Sequence, residues 1–357
     1  MASVRSKITQ TIGILIVITI FLGCDVGRKD ETIPYRQEDH GTFDEEFGPH
    51  EGVNGWWFMN GNLIEEGNPD KRYTFYWSQY NFRDYLGLGL KFYQVHLTLV
   101  DIDTGEVFFE QYNKRINAGA YATGSEVFFK DYSHLTKDEN GFDLWVNMPK
   151  NQISYEFHFD YGKGAVWHGD NGVFTMGVPE DLNARTVYYS YTRMPTTGQI
   201  TLTGESGDLK TLKVTGESWL ERQWGTYMEL AKMKEWTYQW LSVRFFDGEE
   251  IMLFDWPQNG YSDGTYVHAD SSSERILDFT YKPTEFFRSE GACFGLKWDL
   301  TLPGIKDEHY RIEPLIEGGY TQGGFAEMAS VIIDDEDNIV GYAFAECLPF
   351  LYRKECR

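Results

Sequence analysis

One carboxyl in this chain sits where a proton donor would be useful. Glu221 lies within Gly216-Glu217-Ser218-Trp219-Leu220-Glu221-Arg222-Gln223-Trp224-Gly225, a segment that also carries two indoles, a guanidinium and an amide. In an extended strand the side chains alternate, so Trp219, Glu221 and Gln223 share one face while Leu220, Arg222 and Trp224 share the other. A carboxyl held beside an indole in a partly dry cavity has its charged form disfavoured, which keeps it able to donate a proton near neutral pH. The competing reading is an edge strand whose Glu221 pairs with an arginine or meets water.

His96 shares a face with Gln94 and Thr98, opposite Val95, Leu97 and Leu99, so one side reads as core and the other as a polar-lined cavity or solvent. Tyr189, Tyr191 and Arg193 alternate in the same way. Their face carries two phenols and a guanidinium, costly as core filler and suited to a pocket wall or a cation–π stack. Other motifs carry less. Gly260-Tyr261-Ser262-Asp263-Gly264 has the spacing of a nucleophile elbow, but a strand rather than a helix follows it, so a hairpin turn is expected. The acidic stretches Asp101–Gly105 and Asp334–Asp337 lack calcium-loop spacing, and the eight histidines form no His-Glu-x-x-His. No phosphate-cradling or dinucleotide loop is present, so no metal and no cofactor is expected.

The elements that must position these groups read as strands. Aromatic-rich alternating runs, among them Trp56–Leu63, Tyr73–Tyr80, Leu90–Val100, Gln152–Asp160, Thr186–Arg193, Thr211–Trp219 and Glu250–Trp256, are separated by turn signals such as Asp103-Thr104-Gly105, Asp247-Gly248 and Asn259-Gly260. Helical periodicity is scarce, with a short helix or loop expected only over Gly225–Met233. A domain boundary is placed there, giving an all-β chain of two barrel-like domains, 53–225 and 226–357. A length of 357 residues suits two cores, and 25 Phe, 23 Tyr and 11 Trp favour strands around an apolar or amphipathic cavity. A formal charge of −23 repels phosphate backbones and excludes nucleic acid as a partner.

At the N-terminus, Arg5 and Lys7 precede a charge-free run, Ile12–Leu22, that is too short to span a membrane and ends at Gly23-Cys24. The pattern resembles a bacterial lipoprotein leader. Residues 1–23 are expected to be cleaved, Cys24 lipidated, and residues 24–52, acidic and broken by Pro and Gly, to act as a flexible tether. The resulting location is the bacterial cell envelope, on a membrane held through the lipid anchor. Of the remaining cysteines, Cys347 and Cys356 are the first guess for a disulfide.

Several patches together resemble the lipocalin-like family of carotenoid 1,2-hydratase, also called hydroxyneurosporene synthase. They are Trp56-Trp57-Phe58-Met59-Asn60-Gly61-Asn62-Leu63, His96 through Asp101, Tyr188–Arg193, Gly216-x-x-Trp219-x-Glu221-x-x-Trp224-Gly225, Trp240-x-x-x-Arg244 through Glu249, and Gly341-Tyr342-Ala343-x-x-Glu346. Gly55 or Asn54 stands where the family has an acid before the paired tryptophans, and Glu221 where it has Asp. The resemblance implies two tandem lipocalin-like β-barrels with a pocket for a hydrophobic small molecule, a lipid or isoprenoid. It casts Glu221 as a general acid for alkene hydration and His96 or Tyr191 as the group that positions water. Trp57, Trp219 and Trp224 become cavity walls, with Asn62, Tyr189, Arg193 and Gln223 completing the lining. Three readings stay open: a cofactor-independent hydro-lyase, a non-catalytic carrier or sensor of hydrophobic ligands, and a structural protein, for which no cavity is expected.

Overall fold

The computed structural model describes residues 40–356 except 86–89, 116–117, 182–183, 205–206, 227–236, 307–308, 350 and 353. The leader at 1–23, Cys24, the tether up to residue 39 and nearly all of the short element expected over Gly225–Met233 lie outside the described residues.

Alternating sequence becomes strand almost throughout. In chain order the strands are β1 Asn54–Glu65, β2 Asn68–Tyr85, β3 Leu90–Asp101, β4 Glu106–Arg115, β5 Ala120–Ala122, β6 Glu126–Phe129, β7 Ser133–Lys137, β8 Gly141–Met148, β9 Ile153–Asp160, β10 Ala165–Trp167 and β11 Val173–Thr175. They continue with β12 Arg185–Thr203, β13 Leu209–Thr226, β14 Gln239–Phe245, β15 Glu250–Trp256, β16 Tyr261–Val267, β17 Ser273–Ile276, β18 Thr280–Ser289, β19 Ala292–Thr301, β20 His309–Pro314, β21 Ala326–Ile333 and β22 Ile339–Cys347. Two sheets result. The first runs β4-β3-β2-β1-β13-β12-β9-β8-β7-β6-β5 and curls into a nearly closed barrel; the second runs β17-β16-β15-β14-β22-β21-β20-β19-β18 and forms a half-barrel. All the pairings are antiparallel, and turns such as Asp247-Gly248 and Asn259-Gly260, with both glycines at positive φ, join neighbours as expected. Gly260–Gly264 is such a turn running into β16, and Ser262 donates to Asp255 rather than meeting a histidine.

Burial separates two kinds of strand. β8 and β9 alternate strictly, with Phe142, Leu144, Val146, Tyr155, Phe157 and Phe159 inside the barrel and Asp143, Trp145, Glu156 and His158 outside. β1, β14 and β15 are instead buried on both faces. Trp57 and Met59 of β1 enter the barrel core, while Trp56 and Phe58 point outward into a second layer with Tyr76, Tyr188, Trp219, Trp240, Phe254, Trp256 and Phe344. The two sheets are therefore glued through the outer face of the first, and each large ring removed from water contributes roughly 1.5–3 kcal/mol.

Two expectations change. Composition extends the tether to residue 52, yet residues 40–52 belong to the folded body. Thr42 and Glu45 form a capping box on a one-turn helix, α1 Phe43–Glu46, and Phe47 is fully buried against the barrel core. Two phenylalanines four residues apart are enough to pin this otherwise acidic stretch. The disulfide joins Cys293 to Cys356, leaving Cys347 buried and free. Cys347 is fixed at the end of β22 in the second core, while the chain after it carries Cys356 to the Cys293 end of the β18–β19 hairpin. Nearness in sequence does not decide the pairing.

Candidate functional site

The layer between the sheets gathers the chemistry. Register places a row of side chains across the outer face of the first sheet: Ser190 on β12, Glu221 on β13, Phe58 on β1, Ser78 on β2, His96 on β3 and Gln111 on β4. Over this row the second sheet lays Trp240, Phe344, Phe254 and two carboxyls that lie directly opposite each other on β21 and β22, Glu327 and Glu346.

Glu221 is buried, and its Oε1 collects donors. Tyr188 Oη donates to it at short range, Trp219 Nε1 at 3.2 Å and Ser190 Oγ at 3.5 Å. Trp240 Nε1 in turn donates to Tyr188 Oη at 3.2 Å. Burial pushes the Glu221 carboxyl up to about 8 even though the Tyr188 and Trp219 hydrogen bonds pull it down. At neutral pH the group is therefore mostly a neutral acid. With Oε1 occupied as an acceptor, Oε2 is left to carry the proton.

Burial, reinforced by the facing Glu346 charge, also holds Glu327 well above the carboxylate range. Burial raises Glu346 to about 7 against a hydrogen bond from Tyr238. Two carboxyls in this position cannot both ionise cheaply, so the pair keeps at least one proton at neutral pH. Burial keeps Tyr76 and Tyr80 as neutral phenols.

His96 lies at the far end of the row. Burial pushes its imidazole down to about 3, so it is neutral. Nδ1 lies 3.4 Å from Tyr76 Oη, and Nε2 has no hydrogen-bond partner. Gly323, at φ +58°, presses against the ring from the second half of the chain: a Cβ there would sit 2.8 Å from His96 Cε1. Three strand spacings separate His96 from Glu221, roughly 14 Å, too far for both to act on one atom.

The residues singled out from sequence thus divide. Trp219, Glu221 and Gln223 share the inter-sheet face as alternation requires, and Asn62 and His96 lie on it too. Gln223 Nε2 donates to Thr186 at 2.7 Å and its Oε1 is unpartnered. Trp57, Tyr189, Tyr191 and Trp224 are on the opposite side of their strands. Trp57 stacks under the Arg222 guanidinium at 4.3 Å, Tyr189 donates to the Phe43 carbonyl at 3.2 Å, Tyr191 packs on Phe142, and Trp224 donates to Glu46 at 2.9 Å. They belong to the barrel interior and its N-terminal plug, away from Glu221. Gly55, found where the resemblance calls for an acid, gives Arg222 its room: a Cβ would sit 2.9 Å from Nη1. Arg193 does not share a face with Tyr189 and Tyr191, because a bulge between Tyr191 and Met194 turns it toward the second sheet. There it bonds Glu250 and Glu217, each at 2.6 Å, and the Phe245 carbonyl.

Sequence reasoning misses His168, whose Nε2 lies 2.8 Å from Ser190 Oγ and whose Nδ1 lies 2.9 Å from Thr265 Oγ1 of the second sheet. No motif marks it. It also gives no role to Tyr188, Trp240, Glu327 or Glu346; the alternation Tyr188/Ser190 beside Trp219/Glu221 is the available signal for the first.

A nearly closed lipocalin-like barrel, a half-barrel packed on its outer face and an acid-bearing aromatic layer between them define the class of protein. The chain belongs to the AttH-like family, whose sequence model matches residues 34–326. The resemblance drawn from the motifs is borne out. Among solved structures, a putative AttH from Nitrosomonas europaea is similar, with 18% identity and a TM-score of 0.74 over 89% of this chain and 99% of that one. Kievitone hydratase from Nectria haematococca is also similar, with 14% identity and a TM-score of 0.65 over 85% and 91% of the two chains. No curated protein matches the chain.

Proposed function

We propose that this protein binds an apolar or amphipathic small molecule, a lipid or isoprenoid, at the layer between the sheets, and adds water across a carbon–carbon double bond with Glu221 as the general acid. One observation carries the reading: a buried carboxyl, raised to about 8, is positioned by Tyr188 and Trp219 beside the rings of Trp219 and Trp240. In the forward step the alkene π pair takes the Glu221 proton and forms a C–H bond. Water then bonds to the resulting carbocation, and the proton it releases returns to Glu221. The indole faces stabilise the cation electrostatically, and the sheltered layer keeps the acid neutral until it is used. That a structural neighbour is named as a hydratase is in keeping with this chemistry.

His96, roughly 14 Å away across the strands, serves to bind a ligand polar group through its idle Nε2. This observation favours the second reading, a carrier or sensor in which recognition is the whole function. The charge-free run before Cys24 supports a lipid anchor that tethers the protein at the bacterial cell envelope.

Native mass spectrometry of protein extracted from its own host names the ligand class. With that ligand in hand, Glu221→Gln should abolish turnover and retain affinity. Unchanged turnover in the variant rejects the acid assignment, and a wild-type protein that binds the ligand without turning it over supports the carrier.

A further inference from the structure

Four residues along β14 from Trp240, about 13 Å at strand rise, the same inter-sheet layer ends at Arg244. Its side chain is buried, only 4% exposed. Nη2 donates to Asn62 Oδ1 at 2.6 Å, while Nε and Nη1 are without partners. Burial lowers the guanidinium to about 10, so it is a full cation at neutral pH.

The charges around it do not balance. Lys163 pairs with Glu250 at 2.8 Å, and Arg193 spans Glu250 and Glu217. Lys163, Arg193 and Arg244 thus face two carboxylates, both already engaged, and Arg244 is the surplus cation. A buried charge with unused donors is among the costliest arrangements a fold can keep. It is out of character in a chain of formal charge −23.

A cleft of about 290 Å³ opens beside it, lined by Asn62, Ile64, Arg193, Phe246, Leu315 and Tyr342 among others. Asn62 is the residue that Arg244 bonds, and Tyr342 is directly opposite Arg244 across the ladder, so the guanidinium lies immediately behind the cleft wall. Phe246, 59% exposed, meets the Tyr342 ring edge-on at the mouth. The cleft combines an unsatisfied cation with an apolar rim.

We propose that this cleft is an anion-anchoring subsite for a carboxylate-headed amphiphile: the carboxylate passes Asn62 to take the idle nitrogens of Arg244, and the hydrocarbon lies against Ile64, Leu315 and Phe246. A carboxylate supplies one negative charge, which is the local deficit, and its two oxygens accept from guanidinium nitrogens. The subsite does not depend on Glu221 performing chemistry, so it stands or falls apart from the hydratase reading.

Calorimetric titration of the full chain with decanoate, decanol and acetate tests it. Decanoate should bind at least tenfold more tightly than decanol, and acetate more weakly than decanoate. Asn62→Asp places a carboxylate against Arg244 from within and should erase the preference for decanoate over decanol. Arg244→Gln, which removes the cation, should erase it as well and replaces the first variant if that one fails to fold. Equal affinity for decanoate and decanol in the unmodified chain overturns the proposal, as does a preference that survives in a folded variant. Acetate binding as tightly as decanoate refutes the amphiphile and leaves a site for small anions only.

Discussion

Replacing Glu221 by glutamine should stabilise this protein at neutral pH while removing its acid. The carboxyl moves from an ordinary value near 4.5 when unfolded to about 8 when folded. At pH 7 the unfolded chain is ionised at this position and folding must take up a proton. The folded pKa is raised, so the associated stability is fully present below 4.5 and is lost as pH climbs to 8. Two and a half pH units at about 1.4 kcal/mol each amount to about 3.5 kcal/mol at pH 7. Glutamine has the shape of the protonated acid and still accepts from Tyr188 and Trp219 through its carbonyl, so the variant should recover about 2–3 kcal/mol of that cost. Urea unfolding of both proteins at pH 5.5, 6.5 and 7.5 reads the difference. Wild type should lose about 1.4 kcal/mol per pH unit relative to the variant, the Glu346 charge that helps raise the Glu221 pKa being part of the difference that is read. Parallel pH profiles would show that Glu221 is ionised in the folded state and would remove the basis for the acid role.

Other consequences are open to test. Since Tyr188 lowers the Glu221 pKa by donating to it, Tyr188→Phe should move the alkaline fall in activity, expected near pH 8 in wild type, to higher pH; a shift to lower pH contradicts the hydrogen-bond assignment. Arg193→Met leaves buried Glu250 with Lys163 as its ion-pair partner and the Thr192 hydroxyl as a further donor and should cost about 3–5 kcal/mol in urea, partly restored by adding Glu250→Gln; no coupling in that cycle contradicts the ion-pair geometry. The disulfide closes a loop with a sequence separation of 63, so Cys293→Ser should lose roughly 4 kcal/mol by loop-closure entropy. Unfolding without reductant should expose Cys347 to alkylation and leave Cys293 and Cys356 unlabelled, and a peptide map joining Cys347 to Cys356 would overturn the pairing.

Strand alternation makes the face of Glu221 legible in the sequence: period two puts it with Trp219 and Gln223, and the ladder keeps that arrangement. The same rule misleads at Arg193, because one bulge after Tyr191 reverses the face and nothing in Tyr189-Ser190-Tyr191-Thr192-Arg193 announces it. Periodicity tells which side chains travel together but not what covers them. An acid flanked by indoles on a barrel strand suggests a barrel interior, whereas the face of Glu221 is the outside of one sheet capped by another, so Trp57 and Trp224 wall a different compartment. His168 and Glu327 reach the layer through long-range pairing, which leaves no local mark on the chain, and Glu346, though part of a matched motif, gains its role only when β22 sets it opposite Glu327.

A carboxylic acid kept neutral at physiological pH is the central claim, and infrared titration measures it. The protonated carboxyl band that disappears in Glu221→Gln should persist at pH 7 and bleach with a midpoint near 8. A band lost with a midpoint near 4.5 would mean that Glu221 is a solvated carboxylate, and the proton-donor account would fail.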